Sequence, residues 1–533
     1  MVGKYKPIIG YYDGTRFHLG GPKDILSADP EAPPATMKTS PQKKEVFDRL
    51  LAFLAANPDN LGAIDQGAAY LYQAGLPLDA AISAYARFRE RNPGNAVAAY
   101  NHAWYLGRDG QFDAAIGAYE HALELGIDGA EEVHVNIGNI WMDHLLDADR
   151  ARESFMAALA VNPNYVGAYH NLGNLEEQSG NREQAAAHFT QCLELEPGNL
   201  TALARLADTH RFRDAEDPLL DKLKARAAAS DDCDLHFALG SAYNQLGEYD
   251  DAWRHFSRAN AIDRAAMPPY NREDAEHAFD RIIEQSNHEW LSRFPGHSAR
   301  HVFICGMFRT GSTLLEQMLA AHPAFTAVGE SDFFPQLIAR EFSDFPLGID
   351  EVSALDAKSW GERHEAYAER IATGAGRLTD KRPDNFRYIG LIKAALPSAR
   401  FVVTERDWRD VALSIYTMRL GAGQNYATDL ADIRHYIGQQ QRLVDYWAGL
   451  LGDDLVRLRY EDLVTQPRKS LGSVLDVLGE AWDERCLAFD TLDNTVKTGS
   501  VWQVREPLHA RSVGRWKKYR PYFESVFGDR IGD

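Results

Sequence analysis

Proline returns at nearly fixed places through the first half of the chain. "ANPDN" surrounds Pro58, "RNPGN" Pro93, "VNPNY" Pro163 and "LEPGN" Pro197, at intervals of 35, 70 and 34 residues. "LGIDG" near Ile127 stands inside the long interval, where another proline is expected. Small and aromatic residues keep register ahead of each mark. Ala81 and Tyr85 precede Pro93; Ala115, Tyr119 and Ala122 precede Ile127; Ala151, Phe155 and Ala158 precede Pro163; Ala185 and Phe189 precede Pro197. "NIGN" (136–139) is echoed by "NLGN" (171–174), and Leu239-Gly240 opens a further unit with Ala252, Phe256 and Ala259. A unit this short cannot enclose a core alone, so its neighbours must stack on it. The small residues let two helices approach, the aromatics fill the gap to the next unit, and proline stops each second helix.

The pattern resembles tetratricopeptide repeats, which are stacked helix pairs. It implies an all-α solenoid over 41–265, with "KKEVFDRLLAFLAAN" (43–57) as a helical cap and a degenerate unit at 199–231. Residues 1–40 read as an N-terminal extension with a hairpin about Asp13-Gly14. "MPPYN" (267–271) breaks the chain, one helix is expected over 272–293 in a helical linker (266–298), and "FPGHSAR" (294–300) leads into a second globular unit.

With 533 residues the chain is too long for one ordinary core. Its net charge of −20 argues against a nucleic-acid binder, so any anionic ligand needs a local basic pocket. Cys192, Cys233, Cys305 and Cys486 lack C-x-x-C spacing, which disfavours a disulfide or zinc framework and places the chain in a reducing cytoplasm. The histidines show no ligand spacing, so no metal is expected. No apolar run reaches membrane-spanning length, and the N-terminus has no continuous apolar segment of a signal peptide.

From 301 onward strands alternate with helices. "HVFICG", "ARFVVTE" (399–405) and "LVRLRYE" (455–461) are strand candidates, with a helix expected from Trp408 to about Met418. The alternation predicts an α/β domain with a parallel sheet, P-loop-like in its first turn. "GMFRTGST" (306–313) has the strand–glycine loop–helix context of a phosphate cradle, where backbone N–H groups and a helix N-terminus favour an anion. Ser312 occupies the position of the Walker lysine, while Arg309 lies inside the loop. That suits a short forked anion, which a guanidinium grips with paired hydrogen bonds, better than a triphosphate. Arg406, at a strand end, and Ser414, on the next helix, can converge on one phosphate above the sheet edge.

"GMFRTGSTLLEQMLAAHP" resembles the 5′-phosphosulfate loop of sulfotransferases that use 3′-phosphoadenylyl sulfate (PAPS), and "TERDWRDVALS" resembles their 3′-phosphate motif. "TDKRPDNF" (379–386), "RYEDL" (459–463) and "SVWQVREPLHARSVGRW" (500–516) match further segments. The resemblance covers 299–533, and with the repeats in front the chain is similar to bacterial-type repeat-containing sulfotransferases whose catalytic half is like tyrosylprotein sulfotransferases. Phe308 stands where that family usually has proline, and Met418, beside Arg419, where it has an arginine.

The resemblance implies PAPS as co-substrate and no metal. Arg309, Thr310, Gly311, Ser312, Thr313, Arg406, Ser414, Tyr460 and Arg515 would hold the nucleotide. Glu330 would be the base, Lys381 would stabilise the bridging oxygen, and Ser500 would donate to the phosphosulfate. The acceptor would be a hydroxyl, a protein or peptide tyrosine among the options, recruited by the repeat groove. A sugar and a small hydroxyl compound are the other acceptor options, and a homodimer is an option for the assembly. Two other readings stand beside this one: a P-loop phosphotransferase or NTPase, and a non-enzymatic repeat scaffold with a degenerate second domain.

Overall fold

A computed structural model describes residues 40–294, 301–342, 344–371, 376–492 and 494–532. The hairpin expected about Asp13-Gly14 and the stretch 295–300 lie outside them. The described residues fall into two compact units that divide between Ile140 and Trp141.

In the first unit the helices are α1 (Ser40–Ala56), α2 (Leu61–Gln73), α3 (Asp79–Arg91), α4 (Ala96–Arg108), α5 (Phe112–Glu124) and most of α6 (Ala130–Asp143). The residue two places after each proline shows why the units begin where they do. Asn60 and Asn95 accept hydrogen bonds from the Ala63 and Ala98 amides at 3.2 and 2.8 Å, capping α2 and α4. Such a cap contributes about 1 kcal/mol. Between helices, Asp65 accepts from the Tyr85 hydroxyl (2.5 Å) and the Asn101 amide (2.9 Å).

The second unit continues the repeats as α7 (Ala148–Val161), α8 (Val166–Gln178), α9 (Arg182–Leu195), α10 (Leu200–Thr209), α11 (Pro218–Ala229), α12 (Cys233–Leu246) and α13 (Tyr249–Ala266). A Cβ on Gly173 or Gly240 would lie 2.6 Å from Phe189 or 2.5 Å from Phe256, so these glycines are set by the aromatic of the paired helix. The degenerate unit keeps its helix pair, but residues 210–217 between α10 and α11 are not helical.

The helix expected over 272–293 is broken. It forms α14 (Arg272–Gln285) and α15 (His288–Leu291), because Asn287 accepts from the Trp290 amide at 2.9 Å and so starts a new helix. These helices are built into the next core: Phe279, Ile282, Trp290 and Phe294 pack in one cluster with Phe303 and Phe401.

Among the described residues five parallel strands follow, β1 (Val302–Gly306), β2 (Phe325–Gly329), β3 (Arg377–Lys381), β4 (Arg400–Glu405) and β5 (Leu455–Arg459), in the order β2-β3-β1-β4-β5. Around them lie α16 (Ser312–Ala320), α17 (Phe333–Glu341), α18 (Ala354–Ile371), α19 (Ile389–Ala395), α20 (Trp408–Tyr416), α21 (Leu430–Leu451), α22 (Tyr460–Thr465), α23 (Pro467–Leu478) and α24 (Arg520–Phe527). The fold is therefore a helical repeat region followed by an α/β domain with a parallel sheet. Strand β1 is buried at every position, with clusters on both faces of the sheet. The chain leaves β1 towards β2 and leaves β4 towards β5. The carboxyl ends of β1 and β4 thus flank a topological switch point, the place where open α/β sheets bind ligands. No helix among the described residues is long and apolar enough to cross a membrane.

Within this unit the repeats grip the sheet domain. Arg419 pairs with Asp234 (3.1 Å) and Asp263 (2.9 Å), and the Asn260 amide donates to the Tyr416 carbonyl (2.8 Å). Trp253 stacks on Tyr416 with centroids 4.7 Å apart.

Candidate active site

The turn after β1 leads straight into α16, which begins at Ser312. Gly311 precedes it at φ 94°, and a Cβ there would stand 2.5 Å from the Tyr460 ring. Arg309 also adopts a left-handed φ of 71°, which for a non-glycine residue is strained and must be held by its surroundings. Thr310 supplies part of that hold. Its hydroxyl meets the Met307 carbonyl and the Thr404 hydroxyl of β4, each at 2.7 Å.

This backbone aims the Arg309 guanidinium across the switch point. Its Nε donates to Ser414 Oγ (3.0 Å), one Nη to Ser500 Oγ (2.5 Å) and the other to Gln503 Oε1 (3.3 Å). Arg406 comes from the end of β4, donates to the Arg309 carbonyl (3.1 Å) and to the Ser512 carbonyl, and lies 4.6 Å over the Tyr460 ring. All three groups bonded to the Arg309 guanidinium are neutral. Burial, then the charges of Arg406 and Arg515, push that guanidinium down to about 10. A half-buried cation with this surrounding is stabilised by an incoming anion.

A cavity of about 390 Å³ opens here. Arg309, Gly311, Ser312, Thr313, Glu330, Arg406, Tyr460 and Ser500 line it. Thr310, Ser414 and Lys381 stand one contact behind, the first two on Thr404 and Arg309, the third on Glu330. Arg515 is not part of the lining. It begins the 3-10 turn Arg515–Tyr519 and bears on the site through its charge.

Glu330 follows β2 directly. Its Oε1 accepts from the Lys381 ammonium at 2.6 Å, with the Lys381 side chain wholly buried and Glu330 31% exposed. Two further carboxyls lie nearby without exposure. Burial pushes Glu316 up to about 7 and Asp380 up to about 8, against the lowering charges of Lys381 and Arg382 respectively. His322, at the end of α16, is bonded to the Ala481 carbonyl and the Ala324 amide, a packing role.

A model of the sulfotransferase family matches residues 301–484, which include the loop, both arginines, Glu330 and Lys381. A tetratricopeptide repeat model matches residues 162–268. The chain carries a sulfotransferase-family domain behind tetratricopeptide repeats. It is 27% identical over 402 residues to an uncharacterized protein of Aquifex aeolicus (strain VF5), spanning 70% of this chain and 51% of that one. It is 23% identical over 243 residues to protein-tyrosine sulfotransferase A of Caenorhabditis elegans, spanning 40% and 60%. The chain thus spans about half to two thirds of the length of the curated relatives it matches. Among solved structures, the sulfotransferase domain of the Synechococcus PCC 7002 olefin synthase is 20% identical, with a TM-score of 0.34, over 42% of this chain and 90% of that one.

Several residues of the sulfotransferase domain's cavity have no counterpart in the sequence reading. Gln503 and Thr498 of the lining, and Thr404 behind Thr310, sit in or beside the motif segments, but nothing local separates them from ordinary loop and strand residues. Arg205 is of another kind. It belongs to repeat helix α10, lines the same cavity, and pairs with Glu177 of α8. Arg419, next to Met418, also lines the cavity, yet its guanidinium is committed to Asp234 and Asp263.

Proposed function

We propose that this protein is a PAPS-dependent sulfotransferase that moves a sulfuryl group to a hydroxyl, a protein or peptide tyrosine being the favoured acceptor, with the repeats recruiting it. The observation that supports this most is the Arg309 guanidinium, half-buried at the switch point beside Arg406 and bonded only to neutral groups. Arg309, Ser500 and the N-terminal amides of α16 would hold the phosphosulfate end. Arg406 and Ser414, with Tyr460 and Arg515 nearby, would hold the 3′-phosphate end. A nucleotide with anionic groups at both ends fits this donor set.

In the transfer, Glu330 takes the acceptor's hydroxyl proton on Oε2, since Oε1 faces Lys381. A bond forms from the acceptor oxygen to sulfur as the bond from sulfur to the phosphate oxygen breaks. Lys381 stabilises the charge left on that oxygen, and adenosine 3′,5′-bisphosphate departs. The protein-tyrosine relatives support tyrosine as the acceptor. A repeat array over 41–265, a helical connection over 266–298 and a transferase domain over 299–533 belong to this reading. So does a cytoplasmic setting, supported by four free, buried cysteines.

Incubation with sulfur-labelled PAPS and a tyrosine-peptide library tests the activity. Label should appear on peptide, and Glu330→Ala should lower turnover by about a hundredfold with adenosine 3′,5′-bisphosphate still bound. Arg406→Ala should weaken that nucleotide by at least about tenfold in calorimetry. Stabilisation by magnesium ATP with none by PAPS would replace this reading with a phosphotransferase.

A further inference from the structure

Glu316 is a carboxylate in an unfavourable place. It lies one turn beyond Ser312 on α16 and is 3% exposed. Its Oε1 accepts the Gly329 amide hydrogen at 3.0 Å. Gly329 ends β2 with φ 70°, and Glu330 is the next residue. A carboxyl kept from water is retained against a desolvation penalty unless it serves a neighbour. Here the service is geometric: the helix that starts at the anion loop reaches across and holds the turn from which Glu330 springs. Lys381 is fixed from the other side by β3 and has a wholly buried side chain, so the Glu330–Lys381 contact depends on where that turn sits.

We propose that Glu316 is a positioning residue that ties the loop helix to the Gly329–Glu330 turn and so sets Glu330 against Lys381. This rests on the reading of Glu330 as the base. The raised carboxyl of Glu316 agrees with it, because either protonation state leaves an oxygen to accept the amide hydrogen. The acceptor atom, not the charge, is what the turn needs, so glutamine should serve in its place.

The test uses the full chain and two independent readouts. In Glu316→Ala, hydrogen exchange at Gly329, followed in the peptide spanning 325–332, should quicken by about tenfold or more. Turnover of labelled PAPS should fall by a similar factor with the KM for PAPS unchanged. Glu316→Gln should restore slow exchange and lose no more than about threefold in turnover. Should the alanine variant not fold, Glu316→Met, of similar size without an acceptor, takes its place. Unchanged exchange in the alanine or methionine variant, or a glutamine variant as damaged as either, overturns the proposal. If the wild-type chain transfers nothing from PAPS, the reading of Glu330 falls, while exchange at Gly329 still decides what Glu316 does.

Discussion

The repeats of the first unit and those of the second share one apolar register but use their polar positions differently. In the first unit Asp65, Tyr85 and Asn101 satisfy one another, and Tyr100 donates to Glu132 at 2.5 Å, so the polar residues bind repeat to repeat. In the second unit Asp234, Asn260 and Asp263 face Arg419 and the Tyr416 carbonyl of the sulfotransferase domain. The Gln178 carbonyl at the end of α8 accepts from the Val496 amide at 2.8 Å, and Arg182 lies 4.0 Å over Trp502. Small residues and aromatics thus decide that helices pair. The remaining polar positions decide what else the array holds, and here that includes the segment presenting Ser500 and Gln503 to Arg309.

The largest test of this contrast is Arg419→Ala. It strands Asp263, 7% exposed at its side chain, and should lower stability by about 3 kcal/mol in denaturant melts. Arg91→Ala, which cuts an exposed pair with Asp59, should stay within about 0.5 kcal/mol. Equal effects would erase the distinction between the two regions.

Asp65→Ala comes next. It deprives Tyr85 and Asn101 of their acceptor and should cost about 2 kcal/mol, read as faster amide exchange in α2–α4, with turnover unchanged. A loss of turnover would show that the first unit acts on the site.

Arg182→Ala should cost about 1 kcal/mol through its contact with Trp502. Unlike Asp65→Ala it should quicken exchange over 496–504 and lower turnover severalfold. Exchange without loss of turnover would separate the repeats from the chemistry.

The smallest effect is one of pH. Burial raises the Asp65 carboxyl, partly opposed by the Tyr85 and Asn101 hydrogen bonds. A raised carboxyl favours the fold below its unfolded value near 3.8 and loses that contribution as pH rises through the folded value. Protection of α2–α4 should therefore increase on acidification from neutral pH towards 4, and Asp65→Asn should flatten the trend. An equal trend in the variant would assign it to other groups.

Much of this molecule was legible in its residues. The proline spacing placed the helix pairs, and Gly173 and Gly240 read correctly as repeat marks because an aromatic packs on each. The strands β1 and β4 stand out as apolar runs and β5 as an alternating stretch. β2 and β3 do not; "RLTDK" hides β3 because its charged Asp380 and Lys381 are nonetheless buried. Type and spacing single out the loop and the two arginines as candidates, and the structure brings both arginines into one cavity. Arg515 was named with them and lies outside that lining.

By itself the sequence determined the repeat period, the change from helix pairs to alternating strands and helices, and the glycine turn between β1 and α16, since each depends on neighbours a few residues away. Tertiary structure alone decided that Arg205 of a repeat helix enters the sulfotransferase cavity, that Arg419 turns to the repeats, and that Glu316 reaches the turn before Glu330. Those outcomes follow from buried polar groups seeking partners distant along the chain, and no local spacing records such a choice.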